Sequence, residues 1–447
     1  MSPPKPPSRP DRVSFWRYLR LFRADILSAQ PERLYRAWMA EFRTPFLRSF
    51  MVNDPDLVRL VLRDRPMDFP KSDRVSEGLR PLLGRSVFLT NGAEWQRQRR
   101  LIDPAFDGGR LRDTFPAMLA AARAMADRMS PGTIDIEPEA SHAAADVIFR
   151  ALFSLPINDR VARAVFDEFR SFQRSQPILN LAAFVPLPRW MPRLHRAGAR
   201  RAARRIRALI DDLVTERLAR IASGDAPEDL ATKILTATDP ETGDTFDAAE
   251  MVDQVAIFFL AGHETSASAF GWTLYLLATH PEWQDRAAAE ARDFMAAPTF
   301  TGLSGLKITR DVFREALRLY PPVPMMVRQA TRAEPLRDRV SDPGDTVVLS
   351  PWHLHRQTRI WEDPDAFDPA RWQTEAGRRS ARRAYIPFSA GPRVCTGAGF
   401  AMAEGVILLA AFLDRFAVAP VAGRIPEPVA HLTVRAKHGI HLTLLPR

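Results

Sequence analysis

Residues 255–278 read VAIFFLAGHETSASAFGWTLYLLA, a run long enough to cross a bilayer. His263, Glu264, Thr265, Ser266 and Ser268 interrupt it near its middle, and a carboxylate at the bilayer centre costs about 2.5–3.5 kcal/mol. The chain has no other such stretch and no charge asymmetry to anchor one, so no transmembrane segment is expected. The alternative is a helix apolar on every face, which belongs at the centre of a large core. Such a helix needs other helices around it. Helical spacing recurs at 114–128, 143–154, 160–175, 197–223, 250–279, 281–296, 308–319 and 398–416. Strand-like runs are few and short: FLRSFMVND at 46–54, DTVVLS at 345–350 and HLTVRAKHGIHLTLL at 431–445. The acidic stretch 223–248 reads as a connection ending in a capping box, Asp247 with Glu250. No linker separates modules, which predicts a mainly α protein with a small β portion. A flexible proline-rich tail is expected over 1–20, and one large domain over 21–447.

Composition narrows the function classes. One cysteine in 447 residues rules out an internal disulfide and any zinc site built from several thiolates. FWRYLRLFRADIL at 15–27 is broken by arginines and has no apolar h-region, so it is no secretory signal. At most it lies on a membrane surface as a short amphipathic helix. A cytoplasmic protein is expected. The net charge of +10 comes from arginine, with acidic residues interspersed nearly everywhere. The densest basic cluster, RAGARRAARRIRALIDDL at 196–213, alternates arginine with apolar residues at helical spacing. It reads as the exposed face of a core helix, not as a nucleic-acid surface.

Two polar features need a purpose. Cys395 lies in PFSAGPRVCTGAGF (387–400), just before an apolar helical run. A thiolate there would gain from the helix dipole and free backbone N–H groups. Gly391, Gly397 and Gly399 allow sharp turns, and Arg393 adds a cation. These suit a metal-bound thiolate, although a lone cysteine reads equally well as a small buried hydrophobe. In AGHETS (261–266), Gly262 and Thr265 invite a local helix distortion, with the threonine hydroxyl bonded four residues back. That would open a polar notch in a dry interior, where water and a small ligand fit. The competing reading is a buried polar pair satisfied by its neighbours.

FSAGPRVCTGAGFAMAE resembles the haem-binding signature of the cytochrome P450 family, with Phe388, Gly391, Arg393, Cys395 and Gly397 at the signature positions. AGHETS is similar to that family's oxygen-binding motif. FREALRLYPPVP (313–324) with FDPARW (367–372) is similar to its structural triad, here Glu315, Arg318 and Arg371. EWQRQRR (94–100) places Trp95 and Arg99 in its W-x-x-x-R pattern. The C-terminal LTVRAKHGIHLTLLPR looks like its terminal hairpin. The resemblance implies the P450 fold, with haem b between the long central helix and the cysteine loop. Cys395 would be the axial ligand, a thiolate that favours O–O cleavage. Trp95, Arg99, Arg328 and Arg393 would reach haem propionates, while Phe388, Gly397 and Ala261 would line the haem. Glu264 and Thr265 would be the acid–alcohol pair that delivers protons during oxygen activation.

By position in the family, Ala261, Val323, Met325, Phe69 and Phe88 should face a distal pocket. They imply a hydrophobic substrate such as a fatty acid, terpenoid or polyketide. The segment 178–194 is either a mobile lid or an ordinary connection. The implied activity is monooxygenation with O2, in a monomer. Electrons would pass from NAD(P)H through a separate ferredoxin and ferredoxin reductase. A haem-thiolate gas sensor or carrier, or a peroxide-driven peroxygenase, is the alternative, disfavoured by Glu264 and Thr265.

Overall fold

Asp247 starts the longest helix among the described residues. Its carboxylate accepts the Glu250 amide at 2.7 Å, and the Glu250 side chain accepts the Asp247 amide in return. The computed structural model describes residues 2–44, 47–175 and 197–447; the stretch 178–194, read as either a lid or a connection, lies outside them. In chain order the main elements are α1 (Phe15–Ala24), β1 (Met39–Thr44), β2 (Leu47–Val52), α2 (Asp73–Leu83), α3 (Gly92–Phe106), α4 (Gly108–Arg128), β3 (Gly132–Asp135), α5 (Ile136–Phe153), α6 (Arg160–Ser175) and α7 (Ala197–Ala222). There follow α8 (Ala248–Thr279), α9 (Pro281–Ala296), α10 (Lys307–Leu319), β4 (Met326–Gln329), β5 (Thr346–Leu349), α11 (Ala398–Arg415), β6 (Phe416–Pro420), β7 (Pro428–Ala430), β8 (Val434–Ala436) and β9 (His441–Pro446). The mainly helical class expected from the sequence is the one observed.

The apolar run of α8 does what its composition demands. It is buried almost throughout from Met251 to Ala278, against α5, α7, α10, α11 and α2. The notch did not take the expected form, because α8 is continuous from Ala248 to Thr279. Gly262 makes room for a neighbour instead: Ile148 of α5 lies where a Cβ would stand. In α7 the apolar positions Ala203, Ile206, Ile210 and Val214 are buried, while Arg200, Arg201, Arg204 and Arg205 are exposed. That is the amphipathic reading of the basic cluster.

The β portion is small. One sheet has the order β1-β2-β5-β4, with β2 and β5 parallel and the rest antiparallel. A second has the order β3-β9-β6, and β7 pairs with β8. The expected C-terminal hairpin is therefore not one. β8 and β9 are neighbours in sequence, but Val434–Ala436 pairs with Pro428–Ala430 and His441–Pro446 pairs with β3 and β6. The helices share one large hydrophobic core, and a smaller one fills the space beside the first sheet. Phe69, expected at the distal pocket, lies in this smaller core with Val58, Leu62 and Trp361, fully covered.

The flexible tail expected over 1–20 is not one: residues 15–20 belong to α1, and residues 2–12 lie along the body. Tyr320 donates to the Pro4 carbonyl at 2.9 Å, Lys5 pairs with Asp365 at 2.6 Å, and Arg9 Nε donates to the Ala29 carbonyl at 2.6 Å.

Candidate active site

One stripe in the middle of α8 is not covered by protein. Ala261 is exposed there, and Phe258, Gly262 and Thr265 are half-buried, while the other faces of the same turns are covered. These positions recur every three to four residues, so they share one helix face. The Thr265 hydroxyl donates to the Ala261 carbonyl at 2.5 Å. This is the back-bond expected from the sequence, made without breaking the helix. Glu264 points elsewhere. It is buried and accepts hydrogen bonds from Thr433 Oγ1 at 2.5 Å and from Arg435 beside it on β8. Arg435 is 41% exposed, so this carboxylate connects the interior to the surface.

Cys395 lies at the second opening. Gly391 and Pro392 form a tight turn with Arg393 before it, packed so closely on the 60–64 segment that a Cβ on Gly391 would strike the Leu62 carbonyl. The Cys395 amide donates to the Phe388 carbonyl at 2.9 Å, and Phe388 itself is half-buried. On one side Cys395 is not covered by protein. Protein packed round the sulfur pushes its thiol pKa up, with the Gly397 N–H and Arg99 pulling it back. A bound cation would reverse that balance, since a coordinated thiol is deprotonated.

Beside the loop is a cluster of basic side chains. Arg328 and Arg393 are each 8% exposed. The Arg393 guanidinium lies 4.4 Å from the centre of the Trp95 ring, with Arg99 and Lys71 each 5.9 Å from it. Burial, and then the neighbouring guanidinium, lowers Arg328 and Arg393 to about 10. Burial drives Lys71 well below its ordinary value, and Arg393, Arg328 and Arg99 add to the effect. Arg99 has partners of its own, Asp103 and the Val394 carbonyl. Nε of Arg328, and Nε and Nη1 of Arg393, have no hydrogen-bond partner among the described residues. Buried donors of this kind are rare unless something satisfies them. An anionic group placed there would do so, and the carboxylates of a haem have that character.

In overall structure the molecule is similar to the haem domain of cytochrome P450DA, with a TM-score of 0.82 at 24% identity over 100% of this chain and 98% of that one. That likeness concerns the fold. The family model for cytochrome P450 matches residues 32–444. The chain belongs to the cytochrome P450 family. Cyclooctat-9-en-7-ol 5-monooxygenase of Streptomyces melanosporofaciens is 34% identical over 397 residues, covering 86% of this P450 and 83% of the relative. Cytochrome P450 4A14 of Rattus norvegicus is 30% identical over 438 residues, covering 91% and 82%.

This P450 is thus a monooxygenase whose cofactor is a thiolate-ligated haem and whose cosubstrate is O2, with electrons supplied by redox partners. Among the described residues no helix is long and apolar enough to cross a membrane. Phe88 is exposed, and Val323 and Met325 are half-buried. Two features escaped the sequence reading. Lys71 stands among the basic side chains, and no spacing pattern marks it because its neighbours come from α3, β4 and the cysteine loop. Glu404 is fully buried on α11 and bonded to Ser266 of α8 at 2.5 Å.

Proposed function

We propose that Cys395 is the axial ligand of the haem and that Arg328, Arg393, Trp95 and Lys71 hold its propionates, Arg99 bracing the cysteine loop. The observation that carries this reading is the set of buried guanidinium donors without partners, adjacent to a cysteine open on one side. The haem, when bound, supplies the oxygen-activating chemistry, and its thiolate ligand favours O–O cleavage. The protein's task is to hold, orient and exclude. The Gly397 N–H supports the sulfur. Thr265 keeps a hydroxyl at the open stripe of α8, where it can pass a proton across. Glu264 is the inner end of a route to solvent, its carboxylate reaching Arg435 at the surface. Ala261, Val323, Met325 and Phe88 line the substrate side.

The substrate in this reading is a hydrophobic small molecule, with fatty acid, terpenoid and polyketide as the candidate classes. A relative named for oxidising a cyclic alkenol favours an alicyclic one. Electrons come from a separate ferredoxin and its reductase. The deciding experiment is the spectrum of the reduced protein with CO. The unaltered chain should show the red-shifted Soret band of a thiolate-ligated haem, and Cys395→Ala should abolish it. A variant that kept the band would end the assignment. A panel of alicyclic alcohols and fatty acids, scored by spin-state shift, then ranks the substrate classes.

A further inference from the structure

The loop 84–90, between α2 and α3, carries Phe88 and has an unusual set of supports. Gly84 ends α2 at φ 50°, a region that disfavours other residues, and a Cβ there would collide with the Asp253 carboxylate of α8. The next amide, Arg85 N–H, donates to Asp253 Oδ2 at 2.6 Å. The other oxygen of Asp253 pairs with Arg207 of α7 at 2.6 Å, and Arg207 also donates to the Leu82 carbonyl at 3.1 Å. One helical step on, the fully buried Gln254 accepts the Val87 amide at 2.9 Å. From α3, Gln98 donates to the Arg85 carbonyl at 2.7 Å and accepts from Thr90 Oγ1 at 2.6 Å. Lys71 Nζ donates to the Val87 carbonyl at 2.5 Å.

The polar backbone groups of Arg85 and Val87 are thus satisfied by side chains from several elements. A loop built this way keeps its shape only while those side chains stay in place. Phe88, the residue after Val87, is 43% exposed. Asp253 is the point where three elements meet: α8 provides it, the end of α2 binds one oxygen and α7 binds the other. A shift of α7 on α8 would therefore reach the Phe88 loop through this carboxylate, and the end of α2 through Arg207 and the Leu82 carbonyl.

We propose that Asp253 is a positioning residue for substrate selection, coupling α7 through Arg207 to the loop that presents Phe88. The proposal rests on the reading of Phe88 as a wall of the substrate side. It involves no contact of Asp253 with substrate or haem.

The test uses the haem-loaded full chain and two probes that ligate iron, imidazole and the bulkier 4-phenylimidazole, followed by the Soret shift in stopped flow. In Asp253→Asn and Arg207→Gln the association rate of 4-phenylimidazole should change by about fivefold, the factor corresponding to the upper end of a partly exposed ion pair. Imidazole should associate as in the unaltered protein. The double variant should match Arg207→Gln, because that substitution already removes the link through Asp253. Hydrogen exchange at the Arg85 amide should quicken in Asp253→Asn. Equal effects on both probes, additive effects of the two substitutions, or no effect on 4-phenylimidazole would each overturn the proposal. So would loss of the CO band in Asp253→Asn, which would make the residue one needed for folding. If the unaltered protein itself lacked that band, the haem reading would fall first, and this proposal with it.

Discussion

Ser266 and Glu404 show what a single buried pair contributes. Glu404 is 1% exposed, and its Oε1 has no hydrogen-bond partner among the described residues. Burial raises its carboxyl pKa to about 8, and the Ser266 bond lowers it only in part. In the unfolded chain the same group loses its proton near pH 4.5. Between these values the folded state holds more protons, so stability falls as pH rises through that window and levels off above it. Each unit of displacement corresponds to about 1.4 kcal/mol, which makes the total effect a few kcal/mol. Glu404→Gln removes the titration. Its Tm relative to the unaltered protein should rise from pH 5 to pH 9, measured by calorimetry across that range; parallel Tm curves would mean that Glu404 is not held neutral. Sequence could show Ser266 as a polar interruption in an apolar helix. It could not show Glu404 as its partner, because the two lie 138 residues apart and only the packing of α11 on α8 joins them. Cys395, Thr265 and Arg393 were legible because their neighbours along the chain form the motif.

At the scale of elements, the Glu315 network ties α10 to the segments that follow it. Taken in sequence, Glu315 and Arg318 look like a surface pair of little value. In the fold both are completely buried. Arg318 donates to both oxygens of Glu315 at 2.8 and 3.0 Å, and to the carbonyls of His355, Pro364 and Ala366. Arg371 reaches Glu315 at 3.1 Å. Glu315→Gln would leave two buried guanidinium groups without their counter-charge, at a cost of about 3–5 kcal/mol. Denaturant unfolding should show the midpoint fall accordingly, and a loss below about 1 kcal/mol would contradict the network's role. Helix spacing and caps made α8, α9 and α10 readable almost to the residue, since their hydrogen bonds are local. The strands were harder. Nothing in HLTVRAKHGIHLTLL tells β8 to pair backwards with β7 or β9 to join β3, because strand partners are chosen by what already lies alongside.

The whole molecule joins a large helical core to a smaller one beside the first sheet, and the 355–366 region lies near their junction. Arg318 holds that region from α10, and the N-terminal stretch holds it from outside through Lys5 and Asp365. The same stretch runs back over Tyr320, whose ring stacks on Trp272 of α8 at 4.1 Å. Further along, Arg9 is 8% exposed and donates to the carbonyls of Ala29, Pro10 and Asp11. Its side chain also approaches the rings of Tyr18 and Phe42 at 5.7 Å. A proline-rich stretch loses little conformational entropy on being laid down, because its φ angles are restricted before folding. Modest contacts therefore suffice to hold it. Removing residues 2–12 forfeits two ion pairs, Lys5 with Asp365 and Asp11 with Arg33, and several hydrogen bonds, each about 1 kcal/mol or less in net effect. The haem-loaded protein should lose a few degrees in Tm while keeping its CO spectrum. The decisive comparison is with Arg9→Ala in the full-length chain. If that variant reproduces most of the loss, the stretch acts as a clamp through its one buried cation; if both proteins melt with the unaltered chain, the contacts of residues 2–12 contribute nothing to holding the fold.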